Sequence, residues 1–225
     1  MAENPSHSSN PSLRLNRRRL VQGAAVGLAA ALPARMLSAS DRMAAWNLWQ
    51  QENPGAAPDT VDEYVPIVLS ATEWATLTAV VNRLFPKTDA TPGGAETGAH
   101  IFIDRTLSTV YTANIPDYRA GLAAIEKSVD GGFAAADPDM QDATLTELEA
   151  GKLTGAPDRF FGTLLGHTRQ GMFCDPIYGG NRQFMGWDMI GYPGIKLVWS
   201  EDEQAIDAMV KPEHISVQKY GGQAR

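Results

Sequence analysis

The chain has 225 residues, 44% hydrophobic and 20% charged, an ordinary composition for a globular protein with a single core. Its net charge of −7 is unevenly spread: Arg14, Arg17, Arg18, Arg19 and Arg35 precede residue 40, leaving 14 basic against 25 acidic residues, a net of −11, in the body. Phosphate binding needs clustered Lys and Arg, so this body excludes nucleic acid as a partner. A single cysteine, Cys174, excludes an internal disulfide and any cluster held by several cysteines of this chain.

Residues 1–39 read as an address. A polar stretch rich in Asn, Ser and Pro leads into Asn16-Arg17-Arg18-Arg19-Leu20-Val21. That run resembles the twin-arginine export signal, with Arg17 and Arg18 as the paired arginines. Leu20 to Ala34 then forms an uninterrupted Ala/Gly-rich apolar region, too short for the ~20 residues of a spanning helix and the right size for a signal peptide. Ala29-Ala30-Ala31 and Leu37-Ser38-Ala39 both offer small residues for cleavage. Residues 40–65 follow as a linker, with a helical patch around Trp46 and Trp49 and a Pro/Gly-rich stretch.

The body, residues 66–210, reads as helical. Ser70 and Glu73 fit a capping box, and Trp74, Leu77, Val80, Val81, Leu84 and Phe85 recur on one helical face stopped by Pro86. Ile101, Ile103, Leu107 and Val110 predict a second helix from about Ala99 to Tyr111. Pro116 opens a third, with Leu122, Ile125 and Val129 inward and Gly131-Gly132 as terminator. A fourth covers Pro138 to Ala150. A fifth, opened by Pro157, carries Phe160, Phe161, Leu164, Leu165 and His167. A polar tail helix is expected around Glu201 to Val210, before a C-terminal tail of residues 211–225. No period-two alternation appears, so the expected fold class is all-α, an irregular helical bundle with long Gly/Pro/aromatic loops.

The most conspicuous loop is "DPIYGGNRQFMGWDMIGYPG", residues 175–194, with five glycines and two prolines. Such density predicts consecutive turns. Tyr178, Trp187 and Tyr192 either pin this loop to its own core or present it to another molecule. The expected partner surface comprises Tyr178, Asn181, Arg182, Phe184, Trp187 and Tyr192, within an exposed apolar patch that also takes in Phe173, Ile177 and Met185.

Catalytic and binding motifs are not found. His100 and Asp104, four apart, have the spacing to share a metal, but two ligands do not make a site, and a hydrogen bond or surface pair is expected. His167 reads as a satisfied core histidine, while His7 and His214 belong to leader and tail. No phosphate cradle, nucleophile elbow or paired acid/base carboxylates are present, and Glu147 and Glu149 face different directions. No catalytic, cofactor-binding or metal residue is therefore assigned. Cys174 reads as a buried inert thiol, with a bridge to a partner as the alternative. The twin-arginine route serves proteins exported folded, chiefly with a cofactor, and this chain shows no means of holding one. A partner that holds the cofactor and lacks a signal of its own resolves the conflict.

"LSATEWATLTAVVNRLFPKTDATPGGAETGAHIFIDRTL" and "FFGTLLGHTRQGMFCDPIYGGNRQFMGWDMIGYPG" resemble the small-subunit family of membrane-bound gluconate 2-dehydrogenase, subunit 3 or gamma. The resemblance spans about residues 66 to 196. It implies a noncatalytic subunit of an oxidoreductase complex acting on CH–OH groups. It also implies a large subunit carrying FAD, a multihaem cytochrome c subunit, and the twin-arginine translocase as export partner. The complex would sit in the periplasm at the outer face of the inner membrane, oxidising gluconate, fructose, glucose or sorbitol. Two readings stay open: an export, assembly and stability subunit, or an independent periplasmic binding protein or enzyme using the 175–194 loop.

Overall fold

The computed structural model describes residues 64–208 and 210–217. The leader of residues 1–39, with Arg17 and Arg18, lies outside the described residues, as does the helical patch at Trp46 and Trp49. Six α-helices follow in chain order: α1 Ala71–Leu84, α2 Ala99–Leu107, α3 Ile115–Lys127, α4 Pro138–Glu149, α5 Phe160–Phe173 and α6 Met185–Ile190. No strand occurs among the described residues, and the fold is all-α.

Local chemistry explains the helix ends. At α1 the Ser70 hydroxyl accepts from Glu73 N–H while the Glu73 carboxylate accepts from Ser70 N–H, the reciprocal box its sequence predicts. α2 stops at Leu107 rather than Tyr111. The Ser108 and Thr109 hydroxyls donate back to the Arg105 carbonyl, and Val110 is 74% exposed, so the next turn has nothing to bury. α5 begins at Phe160 rather than beside Pro157, because Arg159 takes a left-handed φ of 64° that interrupts the helix. Among the described residues the expected tail helix does not form, and a 3-10 turn at Asp202–Gln204 stands in its place. Ser200 and Glu203 cap it, but Ile206 is fully exposed, and a short helix with no face to bury is not stable in water.

α2 is the central element, since every one of its residues is buried. It packs most extensively on α5, while α1 touches α2, α3 and α4. Leu77, Val80, Val81, Ile101, Ile103, Leu107, Leu122, Ile125 and Leu164 fill the space between them. Arg83 and Asp142 add a bidentate bridge from α1 to α4, at 2.8 and 2.5 Å. On the other side Tyr118 is buried edge-on to Phe160, and its hydroxyl lies 2.9 Å from His167 Nδ1. His167 is thereby a satisfied core histidine.

A helix buried all round must find internal partners for its polar side chains. Asp104 does so over a long sequence distance. Its carboxylate accepts from Tyr64 Oη at 2.7 Å and from the backbone N–H groups of Ile67, Val68 and Leu69 at 2.5 to 3.0 Å. Burial pushes its pKa up, and the four donors offset part of that rise. The clamp fixes the segment leading into α1, so Tyr64, at the end of the expected linker, already belongs to the core.

The expected pairing of His100 with Asp104 is not realised, because that carboxylate is occupied by residues 64–69. Neither residue is at the surface. His100 packs against Trp74 with ring centroids 4.6 Å apart, and its Nδ1 has no hydrogen-bond partner among the described residues. Burial, with the nearby Arg182 charge, holds its pKa down to about 3. This folded value lies below the unfolded value near 6.5, so the stabilisation is whole above pH 6.5 and is lost as pH falls toward 3. At pH 5 the loss amounts to about 2 kcal/mol. Replacing His100 with Phe is expected to flatten the acid limb of the stability profile between pH 7 and 5 by that amount, measured by denaturant unfolding at each pH.

Candidate functional site

The 175–194 loop leaves the C-terminus of α5, where a helix exposes its last carbonyls without intrahelical partners. The loop supplies the missing donors itself. Asn181 N–H donates to the Gly171 carbonyl at 2.8 Å, Trp187 Nε1 to the Phe173 carbonyl at 2.9 Å, and Asn181 Nδ2 to the Cys174 carbonyl at 2.8 Å. Asn181 Oδ1 in turn accepts from the N–H groups of Gly186 and Trp187, which start α6. Arg182 N–H reaches the Thr97 carbonyl at 3.0 Å, tying the loop to the entrance of α2.

Consecutive turns account for only part of this loop. Two 3-10 turns, Pro176–Tyr178 and Arg182–Phe184, flank the Gly-Gly-Asn sequence, and the six-residue α6 follows. Asn181, Gln183 and Phe184 hold left-handed φ values of 44°, 51° and 62°. Non-glycine residues occupy that region at a cost of about 1–2 kcal/mol each, Asn least of all. Their concentration here is possible because the buried bonds around Asn181 fix the path.

Two glycines of the motif answer to packing. A Cβ on Gly180 would lie 2.0 Å from the Gly171 carbonyl oxygen, and one on Gly186 would lie 1.8 Å from that of Met172. Both face rigid backbone at the end of α5, so no side chain fits. These glycines let the loop lie flat on a helix terminus.

The structure divides the expected surface residues into two groups. Asn181 is fully buried and Trp187 is 5% exposed, so both anchor the loop from inside. Phe184, half-buried, packs on Trp187, and Arg182 lies half-buried over Gly98. Tyr178 and Tyr192 face outward, at 53% and 39%. In the wider apolar patch, Phe173, Ile177 and Met185 are half-buried, and Met189 and Ile190 take the outward places instead. Turning Trp187 outward would strand the Phe173 carbonyl. α6 therefore buries Trp187 and presents its opposite side.

The C-terminal segment returns to this loop, a connection that sequence reading missed. Asp175 accepts from Ile177 N–H, Ser216 Oγ and Val217 N–H, while His214 stacks on Phe184 and bonds Asp188 at 2.6 Å. Cys174 lies half-buried, with its thiol 3.6 Å from the Gly171 carbonyl. Burial pushes that thiol up to about 12, which keeps it protonated and poorly nucleophilic. Among the described residues no group of three or more metal-ligating side chains gathers, and no helix is long and apolar enough to cross a membrane.

These features define an all-α protein whose most elaborate construction is a capped, aromatic-bearing loop. The comparison with protein families is more specific. Residues 71–194, more than half the chain, match the family described as Gluconate 2-dehydrogenase subunit 3, and the chain belongs to that family. The match begins at the first residue of α1 and ends at Gly194, the last residue of the loop. No curated protein and no solved structure matches the chain.

Truncation separates the anchoring residues from those displayed. Trp187→Ala removes a buried indole and its bond to Phe173 and is expected to cost about 3–5 kcal/mol in the lone chain. Asn181→Ala strands a buried carbonyl and two amides and adds left-handed strain, for a loss of roughly 3 kcal/mol. Thermal unfolding of the isolated protein checks both, with Tyr178→Ala as an exposed control that leaves the transition in place.

Proposed function

We propose that this chain is the noncatalytic small subunit of a gluconate 2-dehydrogenase-type complex. In this role it brings an FAD-bearing large subunit through twin-arginine export and stabilises it in the periplasm. The large subunit oxidises a sugar or sugar acid, and a cytochrome c subunit carries the electrons to the respiratory chain. Membership of a subunit family implies a multisubunit dehydrogenase; the export and assembly roles are the proposal.

One observation carries the reading. Among the described residues, nine of the twelve exposed large apolar residues lie between positions 178 and 217, so exposure is concentrated on the motif loop and the segment that returns to it. Single exposed apolar residues need no explanation, but a concentration of them marks an interaction surface. The loop beneath is stiffened by Asn181 and Trp187, so its aromatics lose little freedom on binding. That is the economy of a docking surface.

Co-expression with the FAD-bearing subunit tests the reading. Tyr178→Ser with Ile190→Ser is expected to leave the lone chain's melting temperature unchanged and to weaken co-purification by roughly tenfold or more. Undiminished co-purification, or flavin absorbance in the purified lone chain, contradicts the proposal.

Export gives an independent check. Changing Arg17 and Arg18 together to Lys preserves charge but removes the guanidinium fork that a receptor can read. The expected outcome is retention of both this chain and the flavoprotein in the cytoplasm, followed by fractionation. Normal arrival of the flavoprotein in the periplasm means that it has its own address.

A further inference from the structure

The segment after the family-matched region has a construction of its own. Ile195 N–H donates to the Ile215 carbonyl at 3.0 Å, and Glu213 N–H to the Pro193 carbonyl at 2.8 Å, so residues 195–213 leave and return through one narrow base. Lys196 braces the interior by pairing with both Glu203 and Glu213, and its ammonium lies 5.4 Å from the Trp199 ring. Asp175 and Asp188 hold the far side of the base through Ser216, Val217 and His214. Apart from the 3-10 turn at Asp202–Gln204, the described residues of this arm hold no regular structure, and connections of this length are uncommon in compact domains and usually functional.

What this arm displays is apolar. Leu197, Val198 and Ile206 are 72%, 82% and 103% exposed, and Trp199 is 39% exposed. An arm with its base tied and its interior braced holds these side chains in water, where a slack segment would fold them inward. The charges among them are mainly acidic: Glu201, Asp202, Glu203, Asp207 and Glu213 against Lys196 and Lys211.

We infer that residues 195–213 form a clasp that seats Leu197, Val198 and Ile206 in an apolar, basic-rimmed groove of the large subunit, and that this clasp helps to select which large subunit is accepted. The inference rests on the subunit reading above. Charge decides the occupant. A second copy of this chain would set acidic clasp against acidic body, at a net −11 beyond residue 39, and like charges suppress association. An anionic lipid surface would repel the same acids. A partner groove with apolar walls and a Lys/Arg rim satisfies both features. The clasp also lies outside residues 71–194, which the family shares, so partner choice can differ here while the common loop docks in a common way.

The test uses the full chain co-expressed with the FAD-bearing subunit, tagged on the latter. A triple variant, Leu197→Ser, Val198→Ser and Ile206→Ser, is expected to keep the lone chain's melting temperature within about 2 °C, because the sites are exposed. It is also expected to reduce the co-purified fraction roughly tenfold or more. A second variant, Glu201→Lys with Asp202→Lys and Asp207→Lys, is expected to weaken binding and to abolish its decline with added salt. If wild type and both variants co-purify equally, the clasp is overturned while the subunit reading stands. If wild type itself fails to co-purify, the subunit reading fails and takes the clasp with it. A concentration-dependent dimer of the lone chain that the triple variant abolishes makes a second copy the occupant and overturns the partner groove. Binding to anionic vesicles that the triple variant abolishes overturns it equally.

Discussion

Asn181 holds the motif loop together. Its backbone N–H meets the Gly171 carbonyl, its amide donates to the Cys174 carbonyl, and its side-chain oxygen receives the first amides of α6. One residue thus joins the end of α5 to the start of α6, and its neighbour Arg182 binds the turn before α2. The left-handed backbone at Asn181 costs about 1 kcal/mol, and its four hydrogen bonds outweigh it. Without that centre, the strained residues Gln183 and Phe184 would have no reason to hold their conformation.

The consequence is a loop with two faces of different purpose. Its inner face consists of Asn181, Trp187 and two glycines pressed against backbone carbonyls. Its outer face offers Tyr178, Met189, Ile190 and Tyr192. Stiffness on one side makes display on the other efficient, because a preorganised surface forfeits less entropy when a partner covers it. α2 completes the frame: its Asp104 clamps residues 64–69, so the segment entering α1 is fixed by the same helix that packs on α5, from which the motif loop departs.

Local signals were legible in the sequence and distant ones were not. The capping box at Ser70 and Glu73 needs only four residues and an apolar face behind them, so α1 could be read directly. Asp104 could not, because its donors lie 35 to 40 positions away. The clue was its setting in "HIFIDRTL", where a carboxylate stands among apolar neighbours on a helix with no exposed face. The Gly-rich motif announced turns but hid α6, since a six-residue helix between glycines has too little periodicity to read. Trp187 illustrates the limit for the site. Sequence alone suggests display for a large aromatic in a glycine loop, while the unpaired carbonyl at the end of α5, which requires its indole N–H, is a tertiary fact. The tail shows the reverse error: its polar composition predicts a helix around Glu201 to Val210, yet among the described residues only the 3-10 turn at Asp202–Gln204 forms, with no apolar face to bury.

The central claim is that the outer face of the 175–194 loop is covered by another subunit of a dehydrogenase. Hydrogen–deuterium exchange on the lone chain and on the purified complex measures this directly. The account predicts slowed exchange at residues 177–178 and 188–192 in the complex, with the amides of α4 at 139–149 unchanged. Equal exchange at 177–192 in both samples, with protection confined to some other face, would contradict it.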